Sequence, residues 1–202
     1  MIKMAFKCYL KCKEAITMTE SNNPSAIRSK KEITDALFAL MQKYPYNEIT
    51  VKQIILEAKL ARKTFYRNFE SKDDVLRSHI KNILSDYFEI VNNAVSDPLT
   101  AIFSFADKHR DMLVLLEKNS MLHIPLQCLN EYGPYMHSQQ RPDTNPFYKL
   151  FEGLDHEYLM ALNMGGIWNV ISLWIHRGMT DTPEQVRQNL ECYISRFQQF
   201  RL

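Results

Sequence analysis

The stretch from Thr50 to Phe69 constrains this chain more than any other. Val51, Ile54, Ile55 and Ala58 recur at i, i+3, i+4 and i+7, which predicts a one-faced helix. Thr50 stands where a hydroxyl can satisfy an orphan N–H of its first turn. Only Lys59, Leu60 and Ala61 separate it from a second short helix, predicted over Arg62 to Phe69. There Phe65 and Phe69 sit at i, i+4 and can anchor the helix to whatever lies behind it. Arg62, Lys63, Arg67 and Tyr66 can all reach outward. Two short helices joined by about three residues form a helix-turn-helix, whose second helix enters the major groove. The outward residues suit that task. Arginine pairs bidentately with guanine, and Thr and Tyr hydroxyls bond phosphate oxygens.

The charge distribution agrees. Net charge is only +2, but residues 24 to 72 hold ten Lys/Arg against five Asp/Glu, while residues 98 to 202 hold nine against eleven. A basic segment joined to a near-neutral one suits a nucleic-acid module with a separate second domain. The chain is long enough for one or two cores, and its 46% apolar and 24% charged residues describe a soluble globular protein.

Upstream, a helix is expected from Ser29 to Tyr44. Ile33, Ala36, Leu37, Leu40 and Met41 form its stripe, Ser29 with Glu32 its capping box, and Arg28, Lys30 and Lys31 a basic start. Residues 1 to 23 are expected to be a flexible lead-in. Met18 resembles a natural start, with the first 17 residues as upstream translation. A basic amphipathic helix is the alternative there, and no signal h-region is present. Downstream, one long helix is expected from Ser71 to about Val95, roughly 36 Å at 1.5 Å per residue, stopped by Asp97-Pro98. A helix over Leu99 to Asn119 should follow, then one over Met121 to His137 broken near Pro125 and Gly133-Pro134. Gln139 to Asn145 reads as a loop, and Pro146 to Gly153 as the start of another helix. Leu159 to Ile175 is 17 residues without a charge. It is short for a membrane span and carries Asn163, Asn169 and Ser172, so a helix buried on nearly all sides in an oligomer core is preferred. Gly165-Gly166 would allow a close helix crossing. Gly178 ends that helix, and Thr182-Pro183-Glu184-Gln185 starts the last one. Val186, Leu190, Tyr193, Phe197 and Phe200 repeat 4-3-4-3, the spacing of a coiled-coil-like seam.

The run T-V-x-x-I, then A-x-L-A-x-x-T-F-Y-R-x-F-x-S-K-x-x-V-L, resembles the DNA-binding domain of TetR/AcrR-family transcriptional regulators. Thr50, Val51, Ile54, Ala58, Leu60, Thr64, Tyr66, Phe69, Lys72 and Leu76 carry the match, which covers roughly residues 28 to 77. The chain departs from the family at Lys59, usually Gly, and at Ala61, usually Ser. The resemblance implies an all-α protein: a helix-turn-helix domain over 24 to 75 and a helical regulatory and dimerisation domain over 76 to 202. It implies DNA contacts from Thr50, Arg62, Lys63, Thr64, Tyr66, Arg67 and Lys72. Arg62 and Lys63 would meet base edges, and Thr64, Tyr66 and Lys72 would hold phosphates. The last two helices resemble those through which family members pair as a four-helix bundle, which implies a homodimer through Leu162, Gly166, Val170, Leu190, Tyr193 and Phe197. A small-molecule effector is implied in the second domain, with Phe103, Met112, Tyr132, Met136, Trp168 and Trp174 as candidates, each also suited to plain core packing. The expected partner is a pseudo-palindromic double-stranded operator in the cytoplasm, with repression as the expected output.

An enzyme is not expected. The six histidines show no ligand spacing, and no G-x-S-x-G, phosphate loop or dinucleotide fingerprint appears. Cys8, Cys12, Cys128 and Cys192 form no C-x-x-C pair, so they read as reduced thiols and neither a metal nor a cofactor is implied. The competing class is a helical dimer that works through protein contacts with a vestigial DNA face. A third is a membrane-attached adaptor.

Overall fold

The computed structural model describes residues 23–93, 97–138 and 156–199, and every regular element among them is helical. The extension before residue 23, the loop over 139–145 and the helix expected from 146 to 153 lie outside the described residues. The chain divides into two compact units, Met1–Asn82 and Ile83–Leu202. The division falls inside a helix, beyond the boundary expected at 75/76.

In the first unit, α1 (Pro24–Lys43) starts earlier than the stripe suggested. Asn23 is its N-cap, accepting from the Ser25 N–H at 3.0 Å, and Pro24 opens the helix, where a missing N–H costs nothing. Ser29 is therefore not a cap. It lies inside the helix and donates its hydroxyl to the Ser25 carbonyl at 2.8 Å. Glu32 pairs instead with Arg28. The stripe itself is buried: Ile33, Ala36, Leu37, Leu40 and Met41 form the floor on which α2 (Val51–Glu57) and α3 (Arg62–Asn68) pack. A 3-10 turn, Tyr46–Glu48, bridges α1 and α2, with Tyr46 and Ile49 buried. Burial, reinforced by the Asp73 carboxylate that accepts its hydroxyl at 2.5 Å, pushes the Tyr46 phenol far above its ordinary pKa.

The long helix α4 (Lys72–Asn93) begins with Ser71, whose hydroxyl accepts from the Asp74 N–H at 3.1 Å. In the second unit, the single helix expected over Leu99 to Asn119 is two, α5 (Pro98–Lys108) and α6 (Arg110–Lys118). His109 breaks the run at φ −102°, ψ 19°, with its ring 4.5 Å from that of Phe105. The break frees Arg110 to grip the Asp107 carboxylate and the Met179 carbonyl, the latter at 2.7 Å. Conversely, α7 (His123–Ser138) is not broken at Pro125 or Gly133-Pro134. Pro125 falls in the first turn, where no intrahelical N–H is needed. Gly133 lies against α8 (His156–His176), where the flexible end of the Met164 side chain fills the space a Cβ would take. Packing of α7 on α8 thus overrides the local breakers.

Helix α8 ends in a tight cap. Gly178 (φ 74°) donates to the Ile175 carbonyl and Met179 to the Trp174 carbonyl, both at 2.8 Å, closing the last turn as a Schellman motif. Thr182 and Gln185 then exchange hydrogen bonds at the start of α9 (Pro183–Gln199), the capping box expected there. Helix α9 packs on α5. The preferred reading of α8 as buried on nearly all sides does not hold in the single chain. Ile171, Trp174 and Ile175 are buried, while Tyr158 (78% exposed), Leu162 (70%) and Leu173 lie open along the other face. By length and composition alone this helix could span a membrane.

Candidate nucleic-acid interface

The site is built on the turn between α2 and α3. Thr50 caps α2: its hydroxyl accepts from the Gln53 N–H at 3.3 Å, and the Gln53 side chain reaches back to the Thr50 N–H at 2.8 Å. The other end of α2 closes without glycine. Lys59 takes φ 54° itself, its N–H donating to Leu56 at 3.2 Å and that of Leu60 to Ile55 at 3.1 Å. The departure at Lys59 therefore leaves the turn geometry standing, in a left-handed conformation that an L side chain disfavours. Ala61 provides no side-chain cap for α3.

Helix α3 is held by one face. Phe65 is fully buried and Phe69 nearly so, with ring centroids 6.2 Å apart. This fixes the opposite face outward. Arg62, Lys63, Tyr66 and Arg67 are all exposed, and none of the ion pairs among the described residues takes Arg62, Lys63 or Arg67. The Arg62 guanidinium lies 5.5 Å from the centre of the Tyr66 ring. Thr64 is half-buried, and its carbonyl accepts from Asn68. At the start of α1 the cations are partly neutralised, Arg28 by Glu32 and Lys31 by Asp35.

Lys72 departs from the expected phosphate role. Its ammonium turns inward and donates to the carbonyls of Tyr46 at 2.7 Å, Ile49 at 2.9 Å and Asn47 at 3.4 Å, lying 4.5 Å from the Tyr46 ring centre. It satisfies carbonyls of the link before α2 and ties that link to the first turn of α4. The side chain positions the helix-turn-helix and does not stand among the outward cations.

A cationic face on the second helix of a helix-turn-helix, taken by no ion pair among the described residues, has the chemistry a DNA groove calls for. The family description "Bacterial regulatory proteins, tetR family" matches residues 33–78, the segment that contains this site. The match covers the helix-turn-helix segment and less than a quarter of the chain, so it is this segment that is similar to the tetR family. Among curated relatives, the HTH-type dhaKLM operon transcriptional activator DhaS of Lactococcus lactis subsp. lactis (strain IL1403) is 33% identical over 72 residues, covering 36% of this chain and 37% of that protein. An uncharacterized HTH-type transcriptional regulator, YxbF of Bacillus subtilis (strain 168), is 22% identical and covers 83% of this chain and 45% of its own. The matches thus span less than half the length of these relatives. Among solved structures, a TetR transcriptional regulator from Streptococcus agalactiae 2603V superposes with TM-score 0.56 at 19% identity, over 86% of this chain and 96% of that one. The dihydroxyacetone kinase operon activator DhaS superposes with TM-score 0.53 at 19% identity, over 87% and 99%. These likenesses extend the TetR-type fold through the second unit.

The residues expected to line an effector site divide. Phe103 and Trp174 are buried and meet edge to face, ring centroids 6.2 Å apart. The Trp174 indole N–H is taken by the Asp181 carbonyl at 3.0 Å, and the Arg110 guanidinium lies 6.0 Å from its ring centre. Both serve the core of this unit. Tyr132 on α7 and Trp168 on α8 are buried, and Met112 is half-buried. The Met136 and Phe197 side chains lie outside the described residues. Of the expected pairing residues, Leu162, Gly166 and Tyr193 (62% exposed) are open, while Val170 and Leu190 are half-buried. The sequence reading missed Leu56, which is 66% exposed on the outer side of α2. The signal was present: a leucine out of register with the stripe of Val51, Ile54, Ile55 and Ala58.

Proposed function

We propose that this protein is a homodimeric, sequence-specific DNA-binding transcriptional regulator that acts in the cytoplasm under the control of a small molecule bound in its second unit. The observation that carries the reading is the outward cationic face of α3, held by buried Phe65 and Phe69 and taken by no ion pair among the described residues. Arg62 and Lys63, in the first turn, are the proposed base readers, and Thr50, Thr64, Tyr66 and Arg67 the proposed backbone contacts. Lys72 supports them from behind.

The open face of α8 and α9 supports the dimer. Tyr158, Leu162, Leu173, Tyr193 and Ile194 are large apolar side chains open to solvent, and exposed apolar patches mark interaction sites. A Cβ added at Gly165 or Gly166 meets nothing within 4 Å in the single chain, so these glycines have room for a second copy's helix. A membrane would cover such a face too. The tetR-family domain at the other end of the chain favours a second subunit. Two subunits imply a pseudo-palindromic site, its half-sites separated by about one helical turn. An effector would act by a coupling free energy, typically ~1–3 kcal/mol, between its pocket and the DNA. Repression is the proposed output. The relative DhaS is named an activator, and a reporter carrying the bound site across or upstream of its promoter separates the two outcomes.

Selection of bound sequences from a random DNA pool tests the core of the reading. An enriched inverted repeat that Arg62→Ala no longer enriches is the expected result. A folded dimer that enriches no sequence would leave the helical dimer acting through protein contacts.

A further inference from the structure

The outer face of the helix-turn-helix holds an apolar notch whose floor none of the roles above uses. It lies between α2 and α3, about 240 Å³ in volume, and is lined by Val51, Lys52, Ile55, Leu56, Arg62 and Tyr66. Ile54, on the same helix, is fully buried, whereas Leu56 opens to solvent. Two exposed cations, Lys52 and Arg62, form the rim, and no ion pair among the described residues takes either one. The guanidinium of Arg62 leans over the Tyr66 ring and makes one wall. The notch is therefore an apolar floor inside a cationic rim.

That combination selects its occupant. A cationic rim disfavours a second copy of this basic domain and favours a polyanion. Arg62 and Tyr66 are also members of the proposed DNA face, so the notch is continuous with it. Along the major groove the base edges offer polar atoms throughout, with one apolar group, the thymine 5-methyl. We propose that the notch is a thymine reader. It takes the 5-methyl of one thymine in each half-site against Leu56 and Ile55, while Lys52 and Arg62 reach neighbouring phosphates or a guanine edge. The inference rests on the DNA-binding reading. It adds α2 as a base-reading element and makes Leu56 a specificity-determining residue. Deoxyribose carbons are the other apolar surface of DNA, but every nucleotide carries them, so they would give no preference at a single position.

The test uses the full chain and its selected site. Each thymine of the half-site is replaced in turn by deoxyuridine, which keeps the base pair and removes only the methyl. One position should weaken binding by about three- to fivefold, the value for burying one methyl group. Leu56→Ala should bind the unmodified site more weakly and be indifferent to deoxyuridine at that position. Because Leu56 is exposed, the variant keeps its core, and an unchanged circular dichroism melt confirms it. Random-pool selection with Leu56→Ala should lose the thymine at that position and keep the rest of the site. The inference is overturned if no single deoxyuridine weakens binding, if all positions weaken it equally, or if Leu56→Ala stays as sensitive as the native protein. A pool that yields no enriched site at all overturns the DNA-binding reading itself, a result distinct from these three.

Discussion

The turn that aims α3 can be made more stable by one substitution. Lys59 occupies the left-handed region at φ 54°, and its N–H and that of Leu60 each donate one of the two closing hydrogen bonds of a Schellman cap. A residue with a Cβ costs about 1–2 kcal/mol in that conformation. Lys59→Gly removes this cost, but glycine also gives the unfolded chain about 0.4–1 kcal/mol more entropy to lose. The net expected gain is about 0.5–1 kcal/mol, which for a chain near 200 residues raises Tm by about 1–4 °C. The same cap recurs twice in the second unit and provides internal controls. After α6, Ser120 (φ 58°) donates to Glu117 at 2.9 Å and Met121 to Leu116 at 2.8 Å. After α8 the position is already Gly178. Ser120→Gly should therefore stabilise by a similar amount, and Gly178→Ala should destabilise. Lys59→Ala separates backbone from side chain, since it discards the lysine but keeps the Cβ, and it should stay near the native value. Urea unfolding followed by circular dichroism gives the ranking. If Lys59→Gly is no more stable than Lys59→Ala, the turn carries no left-handed cost and the argument fails.

Three further outcomes are expected. Arg62→Ala and Lys63→Ala should each cost about 1–3 kcal/mol on the selected site and little on random DNA, so a competition titration that leaves the specific-to-random ratio unchanged would remove α3 as the reader. Lys72→Met keeps the aliphatic stem but abandons carbonyls of the link before α2, at about 1.5–3 kcal/mol for a charged donor; it should lower the urea midpoint of the first unit, and a native midpoint with a flatter salt dependence of DNA binding would restore Lys72 to the phosphate contacts. Leu162→Glu and Tyr193→Glu place charge on the open face of α8 and α9 and should yield monomer by sedimentation, with loss of operator binding; a persistent dimer in both places the interface elsewhere.

The helix-turn-helix was legible because its determinants are local. The cap at Thr50, the stripe of α1 and the Phe65–Phe69 anchor all lie within a few residues of what they control, as does the cap at Thr182 in the second unit. The unread features have causes distant in sequence. Nothing near Lys72 announces that it will meet the carbonyls of Tyr46 and Ile49, and its place in the family pattern pointed outward. Gly133-Pro134 has every local sign of a break, yet Met164 across the interface of α7 and α8 makes that glycine a point of contact. The break at His109 has no glycine or proline to mark it; its consequence is the reach of Arg110 to Met179. The start of α1 was a different kind of miss. Asn23-Pro24 is a local signal, an N-cap followed by proline, hidden in a polar run that read as a linker. Leu56 was visible as an off-register leucine, but its meaning came only with the notch beside it.

The grip of Arg110 on the Met179 carbonyl also says where a genetic screen should look. A short connection that contains Met179 joins α8 to α9, and Arg110 holds it from α6 with its guanidinium 6.0 Å from the Trp174 ring centre. Altering Arg110, Asp107 or Trp174 would let the two arms splay without changing a residue on their open face. If the proposed dimer forms through this face, second-site alleles that restore function to a weakened one are expected to cluster at this half-exposed joint as well as on the face itself.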